Sequence, residues 1–117
     1  MTPEMVTLDC ADPQSLAKFW VDAAGYMVVH DFGGEYLVLK PSSGDAPAPG
    51  LAIGLQKVAE PRVGKNRAHL DFRTDDRPAE VARLVGLGAT VLAEHQMPGF
   101  SWTVLADPEG NEFCVGG

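Results

Sequence analysis

Five consecutive residues, His69-Leu70-Asp71-Phe72-Arg73, alternate polar and apolar side chains. Alternation with a period of two belongs to a β-strand, so His69, Asp71 and Arg73 share one face while Leu70 and Phe72 share the other. An imidazole titrates near neutrality, which suits a general base or a metal ligand, and neighbouring carboxylates raise its pKa. A histidine that only orients Asp71 or Arg73 fits the pattern equally well. Two further segments repeat the alternation: Met5, Thr7 and Asp9 interleave with Val6, Leu8 and Cys10, and Glu112 and Cys114 interleave with Phe113 and Val115. Asp9, Asp71 and Arg73 are suited to holding a polar substrate group, although an arginine–carboxylate pair that satisfies itself is at least as common.

Aromatic residues offer a second kind of chemistry. Phe100 and Trp102 lie on one face of a strand-like stretch, Tyr36 lies on another, and such rings stack on flat ligands. The opposite face, Ser101, Thr103 and Leu105, is less apolar, so packing under a helix is the commoner explanation for Phe100 and Trp102. His30 and His95 belong to no motif and are expected at the surface. Lys65-Asn66-Arg67 reads as a solvated turn.

Periodicity and punctuation give the elements that must position these groups. Strands are expected over 5–10, 26–31, 35–40, 51–58, 67–74, 90–94, 100–106 and 112–115. Asp12-Pro13 starts a helix, because the carboxylate caps free N–H groups and proline at the first helical position loses no hydrogen bond. Leu16, Phe19, Trp20 and Ala23 then recur at the helical period to about residue 24, which makes Trp20 a core residue, and Gly25 ends the helix. Asp75-Asp76 and Pro78 start a second helix with Val81, Leu84 and Val85 as its buried stripe and Gly86 and Gly88 closing it. The Pro-, Gly- and Ser-rich stretch over 41–50 reads as a plain surface loop rather than a lid.

The order strand, helix, three strands therefore occurs twice. A slide of 64 residues places Asp12 on Asp76, and a slide of 62 places Leu8-Asp9 on Leu70-Asp71. Both are even, so the same strand faces correspond under either.

Composition bounds the function. A chain of 117 residues is one domain's worth and buries roughly 65% of its unfolded surface. Nine Lys+Arg against sixteen Asp+Glu give a net charge of -7, which repels nucleic acid and anionic membranes. With neither a leader pattern nor an apolar span, a cytoplasmic protein is expected. Cys10 and Cys114 stand in no redox or metal spacing, so reduced thiols are the expectation.

The segments LDCADPQSLAKFWVDAAGY, AHLDFRTDD, VARLVGLGA and WTVLADPEGNEFCV, which run over nearly the whole chain, resemble the glyoxalase / bleomycin resistance protein / dioxygenase (vicinal oxygen chelate, VOC) superfamily, and its small glyoxalase-like domains in particular. That resemblance implies an α+β fold: one domain over 1–117, built of two βαβββ modules at about 1–60 and 64–117. The modules would form an incompletely closed, eight-stranded mixed sheet around a cavity, with two outer helices, usually paired into a homodimer. It also implies four metal positions, on the first, fourth, fifth and eighth strands, where a divalent ion binds vicinal oxygens of a substrate as a Lewis acid.

Carried over, those positions are Met5 (or Thr7 under the shorter slide), Gln56, His69 and Cys114. A thioether and a thiol suit magnesium, manganese or iron(II) poorly, and zinc on His69, Gln56 and Cys114 would have an amide oxygen as a weak third ligand. The expected function is therefore binding of a small organic molecule in the sheet cavity, with no full metal site and no cofactor. The alternative is a metal-dependent lyase, isomerase or dioxygenase with zinc, nickel, manganese or iron centred on His69, and a non-catalytic interaction module is a third class. Candidates for catalysis are His69, Asp71 and Glu112, the last as a replacement carboxylate ligand if a bulge shifts its register. Candidates for ligand binding are Asp9, Gln56, Arg73, Tyr36 and Trp102.

Overall fold

A computed structural model describes residues 1–117, and the chain divides into two compact units, Met1–Arg62 and Val63–Gly117. In the first, β1 (Met5–Cys10) leads into α1 (Pro13–Ala24), followed by β2 (Tyr26–Asp31), β3 (Tyr36–Ser43), the short β4 (Ala46–Pro47) and β5 (Ala52–Lys57). In the second, β6 (Leu70–Arg73) leads into α2 (Arg77–Leu87), then β7 (Thr90–Met97), β8 (Phe100–Ala106) and β9 (Glu112–Gly116). The strand orders are β1-β5-β3-β2 and β6-β9-β8-β7, with β1–β5 and β6–β9 parallel and the other pairs antiparallel. Apart from the short β4, each module has the same βαβββ topology, and the α+β class is as expected.

Three expectations need correction. Hydrogen bonding resolves the strands into sheets of five and four rather than one of eight, neither of them closed. The stretch read as a plain loop pairs β4 back on the end of β3, through Ser42–Pro47 and Ser43–Ala46. The fifth expected strand begins at Leu70 rather than residue 67, so His69 lies just ahead of the ladder.

The helices begin for the reason the sequence suggests. Asp12 accepts a hydrogen bond from the Ser15 amide and Asp76 from the Ala79 amide, both at 3.1 Å, each with proline in the first turn. These two caps are 64 residues apart, and they bear out the longer slide of the internal repeat. Such a cap stabilises a helix by about 1 kcal/mol.

In the first module α1 buries Leu16, Ala17, Phe19 and Trp20, while the sheet contributes Cys10, Leu37, Leu39, Ile53 and Leu55 to the buried set. Each large apolar side chain removed from water in this way contributes about 1.5–3 kcal/mol. The second module buries Leu105, Phe113 and Val115 of its sheet, but of the predicted α2 stripe only Leu84 is buried, and Val85 is 46% exposed. Buried Thr103 accepts a hydrogen bond from Arg77 at 2.6 Å.

Candidate functional site

Burial along the strands decides which faces are open. In β1, Val6, Leu8 and Cys10 are the more buried set and Met5, Thr7 and Asp9 are exposed; in β6, Asp71 and Arg73 are exposed while Leu70 and Phe72 are half-buried. Both patterns are the ones the alternation requires.

On the first module's open face Asp9, Gln56 and Tyr36 stand side by side, because Asp9 pairs with Gln56 and Gln56 with Tyr36. Three of the expected ligand-binding residues therefore form one row. One row further along, Thr7 pairs with Gly54, and the Tyr36 hydroxyl lies 3.2 Å from Thr7 Oγ1 and 3.6 Å from Met5 Sδ. Glycine at 54 leaves room for this contact: a Cβ there would sit 2.6 Å from Tyr36 Oη and 2.8 Å from Thr7 Oγ1, so both side chains would have to shift. Exposed Phe32 lies between His30 and Tyr36, with ring centroids 5.7 Å and 6.3 Å away. A crevice of about 310 Å³ in the same module, lined by Thr2, Pro3, Glu4, Lys40, Gly50 and Leu51, contains none of the expected site residues.

The second module gathers the more reactive groups. Asp71 pairs with Cys114 and Cys114 with Val104, so these three share a row on the open face. His69 Nε2 is 3.5 Å from Asp71 Oδ1, and the donor atoms of His69, Asp71 and Cys114 all lie within 4.8 Å of one another. His69 is half-exposed, whereas Cys114 is buried. Burial first, then the Asp71 charge and the hydrogen bond to it, then the Glu112 charge, push the Cys114 thiol above its ordinary pKa, with Lys65 opposing. Left to itself the thiol stays protonated at neutral pH.

The anticipated self-satisfying arginine–carboxylate pair does not form. Asp71 engages His69 and Cys114, and Arg73 has no ion pair within the chain. Neighbours across strands are about 4.8 Å apart, whereas alternate residues along one strand are about 6.6 Å apart, so the cross-strand thiol has the advantage over Arg73. The bulge that would have let Glu112 take the place of Cys114 is also absent, since β9 pairs without a break on both sides. Glu112 shares the open face and acts on the thiol only through its charge.

Trp102 is on this face too, and the packing explanation for it and for Phe100 is overturned. The helix-facing side of β8 carries Thr103 and Leu105, both fully buried, while Phe100 is 57% exposed. Phe100, Trp102 and His95 form a ladder of stacked rings, with centroids 5.3 Å and 5.0 Å apart. His95 is thus more than a lone surface residue. A two-residue Pro98-Gly99 turn sets Met97 opposite Phe100 and His95 opposite Trp102, and that register was the signal by which the sequence could have revealed the stack.

The DPEGN segment has a structural role. Buried Asp107 accepts hydrogen bonds from the Glu109 and Asn111 amides at 2.9 and 3.0 Å and from Asn111 Nδ2 at 3.1 Å, which satisfies its carboxylate and directs the chain into β9.

The Glyoxalase-like domain family matches residues 5–116, almost the whole chain. The chain belongs to the glyoxalase-like family of the VOC superfamily. Solved structures agree in fold. A lactoylglutathione lyase from Agrobacterium tumefaciens is 22% identical over 98% of this chain and 92% of its own, with a TM-score of 0.70. A glyoxalase/bleomycin resistance protein/dioxygenase family enzyme from Burkholderia phytofirmans is 18% identical over 99% and 98%, at 0.74. A mutant fosfomycin resistance protein from Listeria monocytogenes, complexed with manganese(II) and a dihydroxypropylphosphonic acid, is 14% identical over 98% and 87%, at 0.77. No curated protein matches the sequence. No helix is long and apolar enough to cross a membrane, and both cysteines are free thiols.

Proposed function

We propose that this VOC-family protein binds a small organic molecule against the open faces of its sheets, without the four-position metal site of the superfamily, as a cytoplasmic homodimer. The observation that carries the reading is the second module's open face. Phe100 and Met97 are 57% and 51% exposed beside Trp102, an apolar platform that a monomeric surface leaves bare chiefly where something lands on it. Beside the platform stand polar groups that can orient a ligand: Asp71 and Cys114 in the adjoining row, and Arg73 two strands from Trp102 with only Gly116 between them. Arg73 and Trp102 are therefore about 10 Å apart at their Cα atoms, a span that admits one aromatic ring.

Three of the four carried-over metal positions support the same reading. Met5 Sδ is engaged by the Tyr36 hydroxyl, Gln56 offers an amide, and Cys114 offers a buried thiol, none of which fits a hard divalent ion. A second reading, a metal-dependent lyase, isomerase or dioxygenase using His69, is favoured by one observation, the approach of His69, Asp71 and Cys114.

The first reading is tested with anilinonaphthalene sulfonate, a flat aromatic anion that fluoresces when sheltered from water. The intact chain is expected to bind it saturably with a rise in Tm, and Trp102→Ala and Phe100→Ala to weaken binding while the chain stays folded. Unchanged binding in both variants overturns the assignment of this face. Light scattering that gives the mass of one chain overturns the homodimer.

A further inference from the structure

We propose that the molecule bound on the second module's open face is a planar aromatic carboxylic acid, its ring seated over Gly116 and its carboxylate held by Arg73. This inference rests on the small-molecule reading above and names the class of ligand. Arg73, Gly116 and Trp102 occupy one row across β6, β9 and β8, and His95 continues it on β7. The row therefore runs cation, gap, indole, imidazole. The fold does not require that gap. Gly116 has no left-handed backbone conformation, and a Cβ built there would meet only two backbone oxygens of neighbouring strands, Ser101 O at 3.8 Å and Phe72 O at 3.9 Å, both ordinary contacts. Glycine in a strand forgoes side-chain packing and loses more conformational freedom on folding than any other residue. What it provides here is an uncovered floor between Arg73 and Trp102.

The walls of the gap select what fills it. They stand two strand spacings apart, about 10 Å. An aromatic ring packed offset or edge-on against Trp102 has its centroid about 4.5–7 Å from the indole, which puts it over the glycine with its far edge toward Arg73. The Arg73 guanidinium makes no ion pair within the chain, and its planar fork of N–H donors matches the two oxygens of a carboxylate. Arg77, by contrast, is already engaged by Thr103 and Glu94. Asp71 is occupied by the Cys114 thiol and by His69, so it leaves Arg73 available. The chain carries a net charge of -7, but around Cys114 the charges of Asp71 and Glu112 are opposed by Lys65, and Arg73 stands one row away, so the field that repels anions elsewhere is weakened at this face. A neutral aromatic molecule would leave the guanidinium unused, and an aliphatic acid would leave the rings bare.

The test is calorimetric titration of the full chain with naphthoate, its neutral carboxamide and the saturated decalin carboxylate. We expect one naphthoate per chain, bound roughly tenfold or more tighter than either analogue. Arg73→Gln should remove the preference for the acid over the amide, and Arg73→Lys, which keeps the charge and loses the fork, should retain only part of it. Gly116→Val should fill the gap and weaken naphthoate binding roughly tenfold or more while Tm holds or rises, since a β-branched residue suits a strand. Gly116→Ala, which the backbone accommodates, should weaken binding roughly threefold and serves if the valine variant fails to fold. Equal binding of acid and amide by the intact chain, a preference that survives Arg73→Gln, or naphthoate binding unchanged in Gly116→Ala and in folded Gly116→Val overturns the proposal. If the sulfonate dye binds and depends on Trp102 while the acid is not preferred over the amide, this inference falls and the small-molecule reading stands.

Discussion

The two modules share one topology and divide its tasks. The first places a tryptophan, a phenylalanine and a leucine of α1 on a sheet of buried leucines and isoleucine, and fills its open face with its own contacts among Tyr36, Thr7 and Met5. The second buries one side chain of α2 and leaves its open face lined by a thiol, an imidazole, a carboxylate and a bare aromatic ladder. Duplicated architecture constrains backbone pairing and strand faces, and within those limits one copy can hold the core while the other holds the chemistry.

The most severe way to break that contrast is to remove the anchor of each helix. Trp20→Ala is expected to cost about 3–5 kcal/mol and Leu84→Ala about 2–3, measured by denaturant unfolding. Equal losses would dissolve the distinction between the cores. Next in size is Asp107→Ala, expected to cost about 2–3 kcal/mol because three donors lose their buried acceptor; a loss below that of an ordinary surface mutation would mean that the second module does not depend on its polar turn. Gly54→Ala should cost about 1–3 kcal/mol and separate the Tyr36 hydroxyl from Thr7 Oγ1, since a Cβ at 54 occupies the space between them. An unperturbed tyrosine signal would count against a filled first face.

The smallest effect concerns pH. A hydrogen bond from Arg83 holds the Glu80 carboxyl below its ordinary pKa. A lowered folded-state pKa contributes stability above the unfolded value of about 4.3, which is lost as pH falls through the folded value. The pair is solvent-screened, so Arg83→Ala should cost about 0.3 kcal/mol at pH 7 and nothing once both states are protonated. An undiminished difference at low pH would contradict an ionic origin.

Much of this was legible in the residues. Strand alternation put Asp71, Arg73 and Cys114 on the open face, and Asp12 and Asp76 were readable as helix starts, because both signals are local; the residues left slides of 62 and 64 equally open. Phe100 and Trp102 were misassigned because apolar character was taken to mean burial, whereas the core side of β8 is held by Thr103, whose hydroxyl is satisfied by Arg77. The partner of Asp71 was missed because the register of the parallel β6–β9 pair depends on the whole intervening path through α2, β7 and β8 and not on any short turn. Val85 of the α2 stripe stayed exposed and Val81 half-buried for a related reason: an amphipathic pattern says which side can be buried, and the surface it meets decides how much is.

The claim that chemistry resides in the second module is tested most directly by amide chemical-shift mapping of the isotope-labelled full chain during a titration with anilinonaphthalene sulfonate. The expected shifts centre on Leu70–Arg73, Phe100–Ala106 and Glu112–Gly116, with Met5–Cys10 and Ala52–Lys57 unmoved. Shifts centred on Met5–Cys10 and Ala52–Lys57 would contradict it.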